Sequence, residues 1–597
     1  MIDMKQLAYP MSNLSRKRRA LKRSLEEGES LVERRIAILG GSTSAEIKNI
    51  LELFLLKNGI KPIFYESEYQ KYYEDAIYGN EVLDLFSPDV IYIHTSHVNI
   101  TQYPKTQDSS EEVQRLLEQE MEKYKSMWRA LARFNCAIIQ NNFDYPLDRS
   151  LGNLDCYDLH GKTHFITQLN QNFAEHAREQ PSLYLQDINY LASYMGLRHW
   201  FDRSLWYQAK YAMSMDAISE LAFNLSHIIL ALLGKTKKCL VLDLDNTCWG
   251  GVIGDDGLAG IQIGQEGAVA ESFSALQRYA KELKERGVTL AVCSKNDEQN
   301  AIEGFQHPDS ILSIEDFTVF KANWEPKHHN IIEIAEEINI GLDSLVFLDD
   351  NPVEREIVSS QVAGVSVPDV GSDVLYFIDH LDRNGYFETV SLSADDLKRS
   401  QYYKDNQKRA QEEATYQSYG DFLTSLQMQA EINRFTPIYL QRITQLTNKT
   451  NQFNLTTQRY TAGEIQKISE DEQYIALYGK LRDKYGDNGL VAITIGRIVD
   501  QTCHLDLWLM SCRVLKREME FAMLDVLVQQ CLSKEITHLI GYYSQSAKNG
   551  MVAELYQTFG FDLVEAREGM SIWSLCIDGY QYKNSHIEIV ASLSSSI

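Results

Sequence analysis

The sequence contains few cysteines, and they are not arranged in pairs. Nine cysteines are scattered over 597 residues, and no two of them form a C-x-x-C motif. A disulfide framework needs an even set in a short secreted chain, and a structural zinc site needs closely spaced thiols. Both classes are therefore excluded, and we expect the protein to work in the reducing cytoplasm.

Long apolar runs and positive charge are also scarce. No uncharged apolar run reaches the length of about 18 residues that a membrane-spanning helix needs, and residues 1–30 lack the apolar segment of a signal peptide. Lys and Arg number 58 against 83 Asp and Glu, which gives a formal net charge of −25. This balance argues against a general affinity for nucleic acid or anionic membranes. We expect no nucleic-acid partner and no membrane insertion, and the sequence leaves the oligomeric state open.

The chain is long enough for several domains, and apolar runs alternate with helical stretches along most of it. The run "RIAILGG" followed by "AEIKNILELFLLKNG" is typical of a parallel sheet with crossover helices. We predict an α/β multidomain protein, with an α/β domain over residues 1–235, a second one over 236–375, a helical connector over 376–430 and an α+β domain over 431–597. A mostly apolar helix over 205–233 should close the first domain.

Polar side chains follow the apolar strands of the second domain. Asp243 and Asp245 close the run "CLVLDLD", Ser294 ends "VTLAVCS", and Asp349 and Asp350 follow "SLVFL". Because the carboxyl ends of parallel strands meet at one edge of a sheet, we expect these side chains to converge. Converging carboxylates are costly to bury, so a cation must lie among them, and Mg²⁺ prefers such oxygen ligands.

Two aspartates at positions i and i+2 suit phosphoryl transfer. Asp243 can attack a phosphoryl group and form an aspartyl-phosphate, while Asp245 donates a proton to the leaving group. Ser294 and Lys327 would hold the phosphoryl oxygens, and the lysine would offset the negative charge of the transition state. The alternative is that these are turn and cap residues of an inert sheet.

The motifs "DLDNT", "CSKND", "NWEPK" and "FLDDNPVE", in this order, resemble the four motifs of the haloacid dehalogenase (HAD) phosphotransferase superfamily. The resemblance implies a Rossmann-like domain in which Asp243 is the nucleophile and Asp245 the general acid, whose backbone carbonyl also contacts Mg²⁺. It further implies that Asp350 is the direct metal ligand and Asp349 its near neighbour. Too few residues separate Asp245 from the next helix for a cap domain, so we expect an open, uncapped site.

Two further stretches, "NTCWGGVIGDDG" and "NKTNQFNLTTQRYT", resemble the FkbH family, HAD proteins of subfamily IIIC that handle glyceryl units. The resemblance implies a Mg²⁺-dependent phosphatase and acyl transferase. Such an enzyme would take a glyceryl or related unit from an acyl phosphate like 1,3-bisphosphoglycerate, release phosphate and load the unit onto an acyl carrier protein. A plain phosphatase acting on a phosphorylated sugar or glyceryl precursor of a surface polysaccharide, a docking scaffold for carrier proteins and a GNAT-type acetyltransferase remain as alternatives.

Residues in these two stretches are further candidates for the site. A thiolate at Cys248 near the cation would have a lowered pKa and could carry an acyl group, whereas a small packing residue is the alternative. Trp249 and Gly250 are expected in a flap over the site, with a core position as the alternative for Trp249. Asn451 and Asn454 are candidate substrate residues, with turn and capping roles as the alternative.

The N-terminal domain resembles the SGNH hydrolases through "ILGGSTS", in which Ser42 occupies the position of the nucleophile and Gly41 that of the usual aspartate. An active esterase of this kind also needs a D-x-x-H motif, and "FDRSLW" has no histidine at that place. We expect an SGNH-like fold without esterase activity that serves as a docking surface. His160, His164 and His199 are candidates without an assigned role.

The C-terminal domain resembles the GNAT acyltransferases. "MSCRVLKREME" stands in the position of their pyrophosphate loop, and "AKNGMVAELYQTFGF" resembles their later helix. Lys516 and Glu518 occupy positions where close approach to a phosphate favours glycine. We therefore doubt that free coenzyme A binds, while binding of a carrier protein's pantetheine arm and a purely structural role stay open.

Overall fold

The computed structural model describes residues 14–27, 31–393, 397, 399–450, 452–546, 548–567 and 569–591. The chain divides into two compact units. One comprises Met1–Leu232 and Thr461–Glu464, and the other comprises Leu233–Tyr460 and Ile465–Ile597. In the described part of the chain, the first unit contains one sheet and the second contains two.

The first unit is built around a five-stranded parallel sheet of order β2-β1-β3-β4-β5. Its central strands are apolar and buried, as expected for a parallel sheet with helices on both faces. The strands are β1 (Val32–Gly40), β2 (Ile60–Glu66), β3 (Val90–His94), β4 (Ala137–Asn141) and β5 (Leu183–Gln186). The helices are α1 (Leu14–Glu26), α2 (Ala45–Lys57), α3 (Tyr72–Ile77), α4 (Glu81–Phe86), α5 (Ser110–Leu131), α6 (Lys162–Glu179), α7 (Ile188–Met195), α8 (Leu197–Trp200), α9 (Arg203–Ala209) and α10 (Met215–Leu232).

The single helix expected over residues 205–233 is two helices, α9 and α10. Lys210 has a φ of 59°, a left-handed conformation that ends α9, and α10 begins five residues later at Met215. The prediction was wrong because no glycine or proline marks this break. The end of α2 was easier to predict, because Gly59, two residues beyond its last residue, has the positive φ of 71° that glycine adopts without strain.

Helix α10 has the length and apolar composition of a membrane span. It has 18 residues with a mean hydropathy of 1.3, but 61% of it is buried inside the protein. Phe223 of this helix packs against Phe54 of α2, with ring centroids 4.9 Å apart. These are the contacts of a core helix in a folded domain.

The second unit begins with a four-stranded parallel sheet of order β8-β7-β6-β9. Three of its strands were predicted, while β8 was not, because its four residues are only partly buried. The strands are β6 (Cys239–Leu242), β7 (Thr289–Ser294), β8 (Val319–Ala322) and β9 (Leu345–Leu348). The helices are α11 (Ile253–Asp256), α12 (Ala268–Glu285), α13 (Glu298–Gly304), α14 (Lys327–Ile338), α15 (Pro352–Gln361) and α16 (Phe377–Arg383).

The two stretches in which a cap could be inserted are short and fully described. Residues 243–267 contain α11 and a bridge between Gly250 and Gln262, and residues 295–318 contain α13 and one short 3₁₀ turn. Neither stretch forms a separate domain, which agrees with the uncapped fold expected from the sequence.

The C-terminal part of the second unit contains an eight-stranded mixed sheet of order β15-β16-β14-β13-β12-β11-β10-β17. Strands β10 to β13 are antiparallel neighbours, whereas β13 and β14 are parallel and connected through α21. The predicted α+β class is confirmed. The strands are β10 (Met428–Arg434), β11 (Tyr474–Asp483), β12 (Gly486–Val499), β13 (Thr502–Met510), β14 (His538–Ser544), β15 (Asp562–Arg567), β16 (Met570–Cys576) and β17 (Ile587–Ala591). The helices are α17 (Arg399–Glu413), α18 (Tyr419–Ser425), α19 (Leu440–Lys449), α20 (Ala462–Glu470), α21 (Met519–Ser533) and α22 (Leu555–Thr558).

Helix α17 lies in the predicted connector and packs on the C-terminal sheet. Arg409 of α17 donates to both carboxylate oxygens of Asp483 at 2.8 and 2.7 Å, and Arg517 donates to the same carboxylate at 3.1 Å. The Asp483 side chain is fully buried, so two guanidinium groups neutralise it. The connector is therefore bound to the C-terminal sheet by a buried ion-pair cluster.

Candidate active site

The carboxyl ends of three neighbouring strands bring the predicted site residues together. Leu242 of β6 pairs with Val292 of β7 on one side and with Leu348 of β9 on the other. The backbone N–H of Asp243 donates to the carbonyl of Leu348 at 3.0 Å, which continues the ladder past the end of β6. Ser294 is buried and ends β7. The first aspartate and the serine are thus fixed by the strands that precede them.

Lys327 lies between two of the aspartates. Its Nζ is 3.0 Å from Oδ2 of Asp243 and 2.6 Å from Oδ2 of Asp349, and all three side chains are at least nine-tenths buried. Burial by itself would lower the pKa of the lysine, but the two carboxylates outweigh this effect and raise the pKa. Lys327 therefore stays charged and partly neutralises the cluster.

Three carboxylates form a cluster that can hold a metal ion. One ligand atom each from Asp243, Asp349 and Asp350 lie within 4.8 Å of one another. Burial and the charge of Asp243 raise the pKa of Asp349 to about 7, against the opposing effect of Lys327. One lysine leaves negative charge uncompensated, and a hard divalent cation with oxygen ligands fits this donor set.

The two aspartates after β9 differ in how many protein donors they bind. Asp349 accepts from Lys327 on Oδ2 and from the backbone N–H of Asn351 on Oδ1, at 2.6 and 2.8 Å. The side chain of Asp350 has a long contact of 3.4 Å from the hydroxyl of Thr247. Asp350 therefore has more free lone pairs for a metal ion, which supports the expectation that it would be the direct ligand.

Arg355, which was not predicted from the sequence as a site residue, holds the backbone of both aspartates. Its Nη1 donates to the carbonyl of Asp349 at 2.8 Å and to that of Asp350 at 2.7 Å. Nη2 donates to Asp369 at 3.1 Å, and Arg355 is buried. The only sequence signal was its place directly after the motif "FLDDNPVE". Arg355 thus fixes the backbone of the loop that carries Asp349 and Asp350.

We expect the Arg355→Met variant to bind Mg²⁺ about 10- to 100-fold more weakly than the wild type, because two ligand-bearing residues lose their shared donor. Calorimetric titration of Mg²⁺ measures this directly, alongside the melting temperature. Arg278→Met, on the exposed face of α12, is the matched control and should bind Mg²⁺ normally. Unchanged Mg²⁺ affinity in Arg355→Met would show that this arginine only supports the fold.

The expected thiolate at Cys248 is not supported by its surroundings. The side chain is buried, and its Sγ–H donates to the carbonyl of Asp243 at 3.2 Å. Burial raises the pKa of the thiol well above its usual value, and the charges of Asp243 and Asp245 raise it further. The expectation of a lowered pKa is therefore corrected, and the packing role is favoured.

Trp249 and Gly250 are parts of the core, not of an exposed flap. Trp249 is fully buried and packs edge-on against Phe305 with ring centroids 5.1 Å apart. A Cβ at position 250 would lie 2.8 Å from the ring of Phe273, so only glycine fits there. The indole Nε1–H of Trp249 donates to the carboxylate of Asp245 at 2.9 Å. Trp249 thus acts on the site through a hydrogen bond from the core.

Asn454 forms an isolated β-bridge with Leu509 of β13 and is fully buried. Its Oδ1 accepts from the backbone N–H of Thr457 at 2.9 Å, and its carbonyl accepts from Asn549 at 2.9 Å. These contacts favour the turn-stabilising role over a substrate role. Asn451 lies outside the described residues.

The segment around Asn454 fills the opening between β13 and β14. These strands pair only as far as Leu505, and beyond it Leu455 inserts between them. Its N–H donates to the carbonyl of Trp508 at 3.0 Å, and its carbonyl accepts from the N–H of Ser544 at 2.8 Å. The backbone carbonyl of Trp508 and the backbone N–H of Ser544 are therefore already bound by Leu455 and are not free to pair with a pantetheine chain.

The loop before α21 has the left-handed backbone conformation that usually requires glycine, although other residues occupy these positions. Lys516 and Glu518 have φ values of 64° and 60°, in the left-handed region. Glu518 is the N-cap of α21, and its Oε2 accepts from His586 at 2.7 Å. A phosphate approaching this helix end would meet a carboxylate, so the loop is unsuited to a pyrophosphate.

In the first unit, Ser42 lacks the environment of a nucleophile. It is 2% exposed, and its hydroxyl has no hydrogen-bond partner among the described residues. The histidine that pairs with a buried carboxylate in this unit is His97, whose Nδ1 lies 3.0 Å from Asp144. His160 instead contacts Asp158 at 2.8 Å. No base among the described residues therefore forms a hydrogen bond with the Ser42 hydroxyl.

We expect Ser42→Ala to hydrolyse 4-nitrophenyl acetate at the same background rate as the wild type, because the hydroxyl is buried and not activated. Spectrophotometric assay of purified protein checks this. His97→Gln, which removes the imidazole that contacts Asp144, should give the same rate. A wild-type rate far above background that disappears in Ser42→Ala would contradict this expectation.

Comparison with known proteins identifies the family. The family model described as "FkbH, N-terminal domain" matches residues 35–230. Among solved structures, the N-terminal part of protein BF1531 from Bacteroides fragilis, which contains a phosphatase domain complexed with Mg, is 30% identical to this chain with a TM-score of 0.58. The match covers 63% of this chain and 99% of that chain. The chain belongs to the FkbH family. This FkbH protein therefore carries a HAD-type phosphatase domain.

Other solved structures match a smaller part of this FkbH protein. The ribosomal-protein-S18-alanine N-acetyltransferase of Escherichia coli is 14% identical, with coverage of 28% of this chain and 99% of that chain and a TM-score of 0.20. The PaiA N-acetyltransferase of Thermoplasma acidophilum, solved with coenzyme A, is 12% identical over 25% of this chain and 98% of that chain, with a TM-score of 0.20. A search of the curated proteins finds no match. These low TM-scores assign no activity to the C-terminal sheet.

Proposed function

We propose that this FkbH protein is a Mg²⁺-dependent phosphohydrolase that removes a phosphoryl group from a phosphorylated glyceryl or related unit. The observation that carries the proposal is the cluster of Asp243, Asp349 and Asp350 around Lys327, at the open edge of a HAD-type sheet. Asp243 and Asp350, with the backbone carbonyl of Asp245, would hold Mg²⁺. The bound ion supplies positive charge that offsets the phosphoryl oxygens.

The side chains of the cluster divide the reaction between them. A carboxylate oxygen of Asp243 attacks phosphorus, the bond from phosphorus to the leaving oxygen breaks, and an aspartyl-phosphate forms. Asp245 gives a proton to the leaving oxygen and later takes one from the water that hydrolyses the intermediate. Lys327 and Ser294 bind the phosphoryl oxygens and stabilise the charge that develops on them.

We further propose that the product is an acyl group carried by an acyl carrier protein. Attack of Asp243 on the phosphorus of an acyl phosphate would release a free acid and destroy the activated acyl group. Phosphoryl removal and acyl transfer must therefore use two different phosphates of one donor. A bisphosphorylated donor such as 1,3-bisphosphoglycerate meets this requirement, because its ester phosphate suits Asp243 while its acyl carbon stays available to a thiol.

In this scheme the carrier's own thiol is the acyl acceptor. The thiolate attacks the acyl carbon, the bond from that carbon to the phosphate oxygen breaks, and inorganic phosphate leaves. The buried Cys248 is not needed as an intermediate. The uncapped site supports a substrate presented on a long tether.

The cysteines whose side chains are described are all unpaired, which supports the proposed cytoplasmic location.

Phosphate counting with 1,3-bisphosphoglycerate, Mg²⁺ and a phosphopantetheinylated carrier protein tests the proposal. We expect two phosphates released for each glyceryl thioester formed, with the thioester detected by intact mass of the carrier. Asp243→Asn should still allow a phosphoglyceryl thioester with one phosphate released. Phosphate release by the wild type without any carrier thioester would overturn the acyl transfer and leave the phosphohydrolase.

A second candidate function is that of a plain phosphatase acting on a phosphorylated sugar or glyceryl precursor of a surface polysaccharide. The burial of Cys248 agrees with it, because a plain phosphatase needs no reactive thiol at the site. Release of phosphate from such monoesters at a higher kcat/KM than from 1,3-bisphosphoglycerate would establish this function. The filled opening between β13 and β14 argues against acetyl transfer from coenzyme A.

A further inference from the structure

The carboxylate of Asp245 is held by three hydrogen-bond donors. The indole Nε1–H of Trp249 and the backbone N–H of Ile253 donate to Oδ1 at 2.9 and 3.1 Å. The side-chain amide of Asn296 donates to Oδ2 at 2.9 Å. A carboxylate has about four lone-pair directions, so Oδ1 is saturated while Oδ2 keeps one direction open for a proton.

The indole of Trp249 has little freedom to rotate. It is fully buried and packs against Phe305 at an interplanar angle of 73°. The indole also packs closely against Gly304. A Cβ added to Gly304 would lie 2.6 Å from the Trp249 ring. The direction of the indole N–H is therefore set by packing in the core, before any substrate binds.

The amide of Asn296 is fixed in a similar way. The side chain is 4% exposed, and its Oδ1 accepts from the backbone N–H of Asp297 at 2.9 Å. Because Oδ1 is used as an acceptor, the Nδ2 group is the one that faces Asp245. Asn296 follows Ser294 by two residues, so it connects Asp245 to the phosphoryl-binding end of β7.

We propose that Trp249 and Asn296 are positioning residues that hold Asp245 with Oδ2 directed at the reacting oxygen. The inference rests on the phosphohydrolase function proposed above and specifies its substrate class as alkyl phosphate monoesters. A free aspartate rotates about two side-chain bonds, and small displacements of a proton donor cost large factors in rate. The two donors remove this freedom.

The need for Asp245 depends on the basicity of the leaving group. When the bond from phosphorus to an alkyl oxygen breaks, the departing alkoxide is strongly basic and takes the proton from Oδ2 of Asp245. A 4-nitrophenolate is weakly basic and leaves without a proton. A defect in positioning should therefore slow alkyl phosphates much more than 4-nitrophenyl phosphate, whereas a general structural defect should slow both equally.

The test compares kcat/KM for glycerol 3-phosphate and 4-nitrophenyl phosphate in the wild type, Trp249→Phe and Asn296→Ala. The value of kcat/KM reports only the steps up to and including departure of the leaving group. Slow hydrolysis of the aspartyl-phosphate therefore does not affect it. We expect a loss of about 10- to 100-fold for the alkyl ester and at most about threefold for the aryl ester. Asp245→Asn should show the same selectivity with a larger loss.

Trp508→Phe is the matched control. Trp508 is also fully buried, and its indole N–H has no partner among the described residues. Replacing this indole should therefore leave kcat/KM unchanged for both esters. Equal losses for both esters in Trp249→Phe and Asn296→Ala, or no loss for the alkyl ester, would overturn the positioning role alone. No phosphate release by the wild type from either ester would instead overturn the phosphohydrolase function, and the inference with it.

Discussion

Replacing Asp243 by asparagine is expected to abolish phosphate release from a phosphate monoester such as glycerol 3-phosphate, with a loss of at least about 1000-fold in kcat. The substitution removes the attacking oxygen, and the amide that replaces it is not a nucleophile. Stability should change little, because Lys327 keeps its 2.6 Å contact with Asp349 and one negative charge leaves a crowded cluster. Phosphate release and melting temperature should be measured on the same preparation.

The matched control is Asp255→Asn, in the exposed short helix α11 that follows the catalytic loop. This variant should release phosphate at the wild-type rate. Activity of Asp243→Asn within about tenfold of the wild type would rule out an aspartyl-phosphate intermediate, since loss of a covalent nucleophile costs far more.

Replacing Lys327 by methionine should remove both activity and stability. Two buried carboxylates, Asp243 and Asp349, would lose their shared cation, and breaking such a buried pair costs about 3–5 kcal/mol. We expect the free energy of unfolding to fall by this amount in chemical denaturation without Mg²⁺. Added Mg²⁺ should restore part of the stability but not the activity, because Lys327 also binds the phosphoryl group.

Lys321→Met provides the comparison for a surface lysine. Lys321 contacts Glu333 at 3.0 Å and also Glu337, on the exposed side of α14, and such pairs contribute at most about 1 kcal/mol. Equal destabilisation by the two substitutions would contradict the buried role of Lys327. So would a Lys327→Met protein that is as stable as the wild type in the absence of Mg²⁺.

The convergence of the site residues could be predicted from the sequence because each residue lies at the end of a strongly patterned element. Asp243 and Asp349 each follow a run of apolar residues that is typical of a buried strand, and Ser294 is the last residue of another such run. Lys327 begins a helix directly after a proline, a strong start signal. The rules of parallel sheets then bring these residues to one edge.

The residues that support the site could not be predicted in the same way. Asn296 acts through a contact with Asp245, which is distant in sequence, whereas Arg355 acts on the backbone carbonyls of the nearby Asp349 and Asp350. Neither residue has a pattern that distinguishes it from a surface residue. For Cys248 and Trp249 the sequence left a position at the site and a buried packing position open, and the structure buries both because the chain turns inward at Leu244.

The C-terminal sheet shows a similar limit. The apolar runs "GLVAITIGRI", "CHLDLWLMSC" and "HLIGYY" predict β12, β13 and β14, whereas no strand was predicted at β10, β11 or β15 to β17. Residues of β15 are largely exposed, so they lack the alternation that marks a strand. The insertion of Leu455 between β13 and β14 joins segments about fifty residues or more apart, and no local pattern signals it.

The most direct test of the account is to trap the covalent intermediate on Asp243. Asp245→Asn protein would be mixed with 4-nitrophenyl phosphate and Mg²⁺, because this ester leaves without a proton while hydrolysis of the intermediate is slowed. Borohydride then reduces an aspartyl-phosphate to homoserine, which peptide mass spectrometry locates. The account predicts homoserine at position 243, dependent on Mg²⁺. Release of 4-nitrophenolate with an unmodified residue 243, or with homoserine at another aspartate, would contradict it.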